Sequence, residues 1–113
     1  MKAEFEKTML ISSELLSYCH LMGATQFHLD VKIEASETLF TIKASPTQLS
    51  DNELDVLRKD LGVPRRFEIE QDYWGLSGES ESSSELVLVG MMSDETSVEY
   101  QEEELSITIH RRL

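Results

Sequence analysis

Between Ser12 and Leu61 the spacing of apolar side chains changes from helical to alternating and back, and that change predicts most of the fold. Leu15, Cys19 and Met22 recur at i, i+4 and i+7, Ile11 and Leu16 widen the stripe, and Phe5 and Met9 lie four apart before it. This is the pattern of an amphipathic helix laid on a broad sheet. Its start is open: Lys2–Met22 is one helix, or Ser12–Ser13 marks a break with Met1–Leu10 packing separately. Gly23 suits the left-handed position that ends helices.

Phe27, Leu29, Val31 and Ile33 then alternate with His28, Asp30, Lys32 and Glu34, the period of a strand buried on one face. Ala35-Ser36-Glu37 can turn the chain, after which Phe40, Ile42 and Ala44 alternate with Thr41 and Lys43. One apolar and one wet face predict an antiparallel pair, since parallel sheets are covered on both sides. Pro46 denies the sheet a donor and ends the strand. Ser50-Asp51-Asn52-Glu53 has the spacing of a capping box, opening a helix whose stripe is Leu54, Leu57 and Leu61 with Val56 beside it. Gly62 and Pro64 stop that helix.

The second half is less regular. In Arg65–Gly75, Phe67 and Ile69 alternate with Glu68 and Glu70 as a strand would, while Tyr73 and Trp74 fall four and five after Ile69 as in a helix. Gly75–Ser84 is small and polar, the composition of a loop. Ser82 and Glu85 repeat the capping-box spacing ahead of Leu86-Val87-Leu88-Val89-Gly90-Met91-Met92, which tips that short run toward a buried helix. Val98 and Tyr100, a turn near Glu102–Glu103, and Leu105, Ile107 and Ile109 make a second hairpin. The sum is an α+β two-layer sandwich in one domain, 1–113. Its mostly antiparallel sheet has four strands (five if Arg65–Gly75 is extended), covered on one face by about three helices.

Composition narrows the function. At 113 residues and 40% hydrophobic, the chain can bury a single core without metal or disulfide. A formal charge of −12 disfavours nucleic acid, because a phosphate backbone calls for clustered Lys and Arg, and basic pairs such as Arg65–Arg66 and Arg111–Arg112 are too few to form a groove. No apolar run reaches the ~20 residues of a spanning helix, and Met1–Lys7 alternates charge as a secretory leader does not. The expectation is a cytoplasmic protein with no membrane partner. Cys19, the lone cysteine, sits in a helical stripe as a small hydrophobe, and no zinc spacing accompanies it.

No nucleotide loop, nucleophile elbow, metalloprotease or EF-hand spacing occurs. His28 and His110 both fall on wet faces of their strands and become neighbours if those strands pair; otherwise they are two solvated histidines. Glu102-Glu103-Glu104 is a wet turn rather than a cation site. Trp74, beside Tyr73, is equally a partner-facing anchor or a packing residue. Homo-oligomerisation through an edge strand is open, the strand ending at Ile109 being the leading candidate.

The order helix, hairpin, loop, helix, glycine-containing loop, helix, hairpin is similar to the nucleotide-binding domain shared by histidine kinases, gyrase-type ATPases and anti-sigma kinases, the GHKL or Bergerat fold. Glu14-Leu15-Leu16-Ser17-Tyr18-Cys19 resembles that family's first motif, Glu-Leu-Leu-x-Asn-Ala. The stretch Ala44–Leu54 resembles the second, Asp-x-Gly-x-Gly-Ile followed by a capped helix, and Gly75-Leu76-Ser77-Gly78 falls near the glycine-rich lid. The resemblance implies Tyr18 in place of the metal-binding Asn, Ala44 in place of the adenine-reading Asp, and Pro46 and Gln48 in place of glycines. Such a chain has the scaffold without the catalytic apparatus: no enzyme, no cofactor, no metal. The expected role is a protein-interaction or regulatory module, its partner basic or mixed in charge. The alternative is a small-molecule or nucleotide sensor using a remodelled pocket, with Glu14, Tyr18, Phe40, Trp74, Gly75 and Gly78 as candidate residues. An enzyme of another type ranks last.

Overall fold

The computed structural model describes residues 2–73 and 86–113. Its elements run α1 (Lys2–Leu21), β1 (Gln26–Ile33), β2 (Glu37–Ser45), α2 (Asp51–Leu61), α3 (Phe67–Tyr73), α4 (Leu86–Met91), β3 (Glu95–Gln101) and β4 (Glu104–Arg112). The four strands form one antiparallel sheet in the order β1-β2-β4-β3, with helices against one face. The two-layer α+β sandwich expected from the pattern is therefore the observed architecture. Four helices are described, because the ambiguous Arg65–Gly75 stretch is helical over Phe67–Tyr73.

The core lies between the inward faces of β2 and β4 and the helices. Phe40, Ile42 and Ala44 from β2 and Leu105, Ile107 and Ile109 from β4 meet Ile11, Leu15 and Cys19 of α1, Leu57 and Leu61 of α2, and Leu88 and Val89 of α4. Register places Phe40 opposite Ile109 and Ile42 opposite Ile107, so the apolar rows of the two central strands coincide. Burial pushes the Cys19 thiol up to about 11, which fits a packing role rather than a reactive one.

The helix ends follow their local chemistry. Gly23 has φ of 100°, as its position after α1 requires, and its N–H donates to His20 O. At α2 the capping box is complete: Glu53 N–H donates to Ser50 Oγ at 3.1 Å and Ser50 N–H to Glu53 Oε1 at 2.8 Å. Gly62 ends α2 with φ of −88°, so it closes the helix without the left-handed turn. The β3–β4 turn carries Glu102 and Glu103 at φ of 52° and 67°. Two successive positive values are the type I′ geometry that matches the twist of a tight hairpin. The proposed capping pair Ser82 and Glu85 lies outside the described residues.

One open alternative is settled and several expectations are corrected. α1 is continuous through Ser12–Ser13, and its core face is Thr8, Ile11, Leu15 and Cys19, which turns Phe5 and Met9 outward at 53% and 56% exposure. β1 is an edge strand that the helices cover only partly: Leu29 and Val31 are half-buried, but Phe27 and Ile33 are exposed. Val56 is likewise exposed beside the Leu57–Leu61 stripe of α2. Finally, β4 is interior, paired on both sides, so it offers no free edge for self-association.

Candidate functional site

The β2–α2 loop, which lies within the stretch Ala44–Leu54, is locked onto the opposite hairpin. Thr47, fully buried, donates its N–H and its Oγ1 to Glu103 O at 2.7 and 3.0 Å. The Tyr100 hydroxyl accepts from Leu49 N–H at 3.3 Å and donates to Thr47 O at 3.0 Å. Gln48 N–H reaches Met22 O at the end of α1, and its Nε2 reaches Glu103 Oε2, each at 3.4 Å. Amides that would face a ligand in an open loop are here satisfied by the chain itself. A β-hairpin tyrosine does this, placed by the inward alternation Thr96, Val98, Tyr100 of β3.

Among the described residues, the candidates Glu14, Tyr18 and Phe40 do not converge on one cavity wall. Phe40 is sealed in the core, facing the helices. Glu14 is buried on α1 and engaged with its surroundings. Tyr18 is half-buried, and burial, with the carboxylates of Glu53 and Asp60 and the Cys19 side chain adding to it, pushes its phenol up to about 12. Trp74, Gly75 and Gly78 lie outside the described residues. The ATP and Mg²⁺ that the resembled family holds do not fit the residues present here: Tyr18 holds its proton, Ala44 is a buried methyl facing the core, and the amides of Thr47 and Leu49 are taken.

The sequence reasoning missed a charged clasp at the other end of the sheet. Arg111, 1% exposed, occupies the inward position that follows Leu105, Ile107 and Ile109 on β4. Its guanidinium donates to Glu4 Oε2 (2.8 Å) and Oε1 (3.1 Å), Glu70 Oε1 (2.9 Å) and Met92 O (2.7 Å). Glu70 is also held by Arg65 Nε at 2.9 Å and approached by Lys7 Nζ at 3.6 Å. Arg65 Nη1 continues to Asp94 Oδ2 at 2.7 Å and Arg112 O at 2.6 Å. Burial opposes ionisation of Glu70, yet the hydrogen bonds from Arg111 and Arg65 outweigh it and hold the carboxyl below its usual range. The chain of groups ties α1, α3, the α3-preceding loop and the α4–β3 junction to the end of β4.

On the open face of the sheet, His110 sits between Glu37 of β2 and Glu95 of β3, its Nε2 against Glu37 and its Nδ1 3.2 Å from Glu95. These hydrogen bonds, Glu37's first and Glu95's second, raise the imidazole above its ordinary value, and the Glu37 carboxyl is correspondingly lowered. His28 is not its neighbour. It faces Lys43, with β2 lying between β1 and β4, and lines a shallow polar dish with Gln26, Asp30, Thr41 and Glu104.

A second surface feature lies at the sheet edge. Phe5, Met9 and Leu16 of α1 and Val31 and Ile33 of β1 line a groove of about 600 Å³, together with the small polar residues Thr8, Ser12, Ser13 and Ser17. Phe5, Met9 and Ile33 are each more than half exposed there. The strip is apolar on a chain whose formal charge is −12. No protein-family model matches the chain, and no curated protein matches it either. Among the described residues no helix is long and apolar enough to cross a membrane.

Proposed function

We propose that this chain is a non-catalytic, cytoplasmic domain on a degenerate histidine-kinase-type ATPase scaffold, acting as a protein-interaction or regulatory module. The observation that carries the reading is the closed β2–α2 loop. Thr47, Leu49, Tyr100 and Glu103 complete one another's hydrogen bonds where a nucleotide-binding loop would keep its amides open. The element order, helix and hairpin, then three helices, then hairpin, keeps the succession on which the scaffold reading rests, with α3 added. The exposed Phe5–Met9–Ile33 strip supports a role through protein contact.

Titration calorimetry with ATP and ADP in the presence of Mg²⁺ tests the reading. No heat of binding is expected into the millimolar range. Micromolar affinity for either nucleotide overturns it.

A further inference from the structure

The sheet has two edges, and the fold treats them differently. At β3, Arg58 of α2 donates to Val98 O at 3.1 Å, and Thr96 Oγ1 donates to Leu61 O at 3.1 Å, so α2 covers that strand. Its open-face residues, Glu95, Ser97, Glu99 and Gln101, contain no cation, a composition that repels a second strand of the same kind. β1 has no such composition. Outside Leu29 and Val31 it is exposed along its length, and its open face carries His28 and then alternates in sign through Asp30 and Lys32, with Glu34 next.

Glu34 N–H donates to Glu37 O, its register partner in the β1–β2 ladder. In an antiparallel ladder the hydrogen-bonded residues alternate, so the even positions of β1 bond to β2. Phe27, Leu29, Val31 and Ile33 therefore turn their N–H and C=O groups to the free edge. An antiparallel copy of the same strand centred on Val31 sets Asp30 opposite Lys32, His28 opposite Glu34, and Leu29 opposite Ile33, each pair occurring twice. The Asp30–Lys32 pairs are opposite in sign, and all the apolar pairs lie on the helix side. The three hydrogen-bonded pairs would supply roughly six backbone hydrogen bonds.

The layer above fits the same operation. α1 packs over β2. With strands ~4.8 Å apart, the β2 strands of two such copies lie about 14 Å apart, whereas close-packed helices sit at 8–10 Å. The extra space between the two α1 helices is what the outward Phe5, Met9 and Ile33 side chains of both copies would fill.

We propose that the free edge of β1 and the adjoining apolar groove are the seat of a second copy of this chain, pairing antiparallel about Val31 to join two four-stranded sheets into one. The proposal rests on the reading of this domain as a contact module and names its partner. Its failure stays separable from that of the nucleotide-free reading, which is decided by calorimetry alone.

The test uses the full chain in sedimentation velocity at about 100 μM, in ~0.15 M salt so that the repulsion between net charges is screened. The wild type is expected at twice the monomer mass. Asp30→Lys and Lys32→Asp each place like charges opposite one another twice per dimer, and each is expected to raise Kd by roughly tenfold or more. An equimolar mixture of the two variants restores opposite signs at both contacts, and dimer is expected to return. Both positions are exposed, and far-UV circular dichroism checks that each variant folds as the wild type does. A wild type that stays monomeric overturns the proposal. So do variants that associate as tightly as the wild type, or a mixture that fails to recover.

Discussion

Replacing Arg111 by Met is the perturbation that bears most directly on how the fold is held. Methionine fills similar length without charge, so the change isolates the guanidinium. Its loss strips a 1% exposed site of four donated hydrogen bonds. Breaking a buried ion pair from one side costs ~3–5 kcal/mol, because the remaining charge is left desolvated. Here Glu70 keeps Arg65 and Lys7 and Glu4 is partly open to water, which places the cost at the low end. Met92 O is left without its donor, which adds to it. The sum is about 3 kcal/mol, against a total stability of ~5–15 kcal/mol for a domain of this kind.

Urea denaturation followed by circular dichroism measures this as a drop in midpoint with unchanged slope. At ~4 °C per kcal/mol the thermal midpoint falls by roughly 12 °C. Glu4→Gln, which alters the partly exposed member of the pair, should cost about 1 kcal/mol. The lowered folded pKa of Glu70 means that its contribution is present above its ordinary 4.5 and is lost as pH falls through the folded value. Arg111→Met, by removing one cause of that lowering, should flatten the acid limb of the stability profile. An Arg111→Met protein within 1 kcal/mol of wild type, or one no less stable than Glu4→Gln, would refute the buried clasp.

Two further outcomes are expected. Gly90→Ala should destabilise by about 2 kcal/mol in the same urea assay, since a Cβ there meets Asp60 O at 2.5 Å and Val63 Cγ2 at 2.9 Å; a neutral change would mean that α4 and α2 sit further apart than described. The His110 imidazole should titrate above its ordinary 6.5 in a proton NMR titration, and replacing Glu37 by Gln should bring it down. Because that folded value is raised, the stability His110 contributes is complete below 6.5 and is lost as pH rises through the folded pKa, whereas that of Glu37 is complete above 4.5 and is lost as pH falls.

The central pair of strands was legible because alternation at period two has only one way to face a single core: Phe40, Ile42 and Ala44 are where the pattern puts them, and so are Ile107 and Ile109. The capping box at Ser50 was legible for a similar reason, being purely local. Phe5 and Met9 were not, because i, i+4 spacing also fits Thr8, Ile11 and Leu15, and only the sheet's position decides which row is covered. The same holds for Phe27 and Ile33: alternation marks a face but not how far the helices reach over it. Arg111 was readable in principle. Extending the inward row of β4 by two residues forces an arginine into the core, and a buried cation demands carboxylates, which Glu4 and Glu70 supply from 107 and 41 residues away. Phe67–Tyr73 was undecidable from periodicity, seven residues being too few to separate the two rhythms.

The two polar locks also bear on whether a ligand site could be hidden in the resting fold. To present the amides of Thr47 and Leu49 to a phosphate, the chain would have to give up Thr47 N–H and Oγ1 to Glu103 O, Leu49 N–H to Tyr100, and Tyr100 to Thr47 O. At ~1 kcal/mol net for each of these four bonds, opening the loop costs about 4 kcal/mol, or nearly three orders of magnitude in apparent affinity. A nucleotide that would bind an open loop at micromolar strength is thereby pushed toward millimolar. The Tyr100→Phe substitution removes two of the four bonds at once. A nucleotide affinity that stays undetectable in that variant would mean that the closed loop is not what withholds a nucleotide.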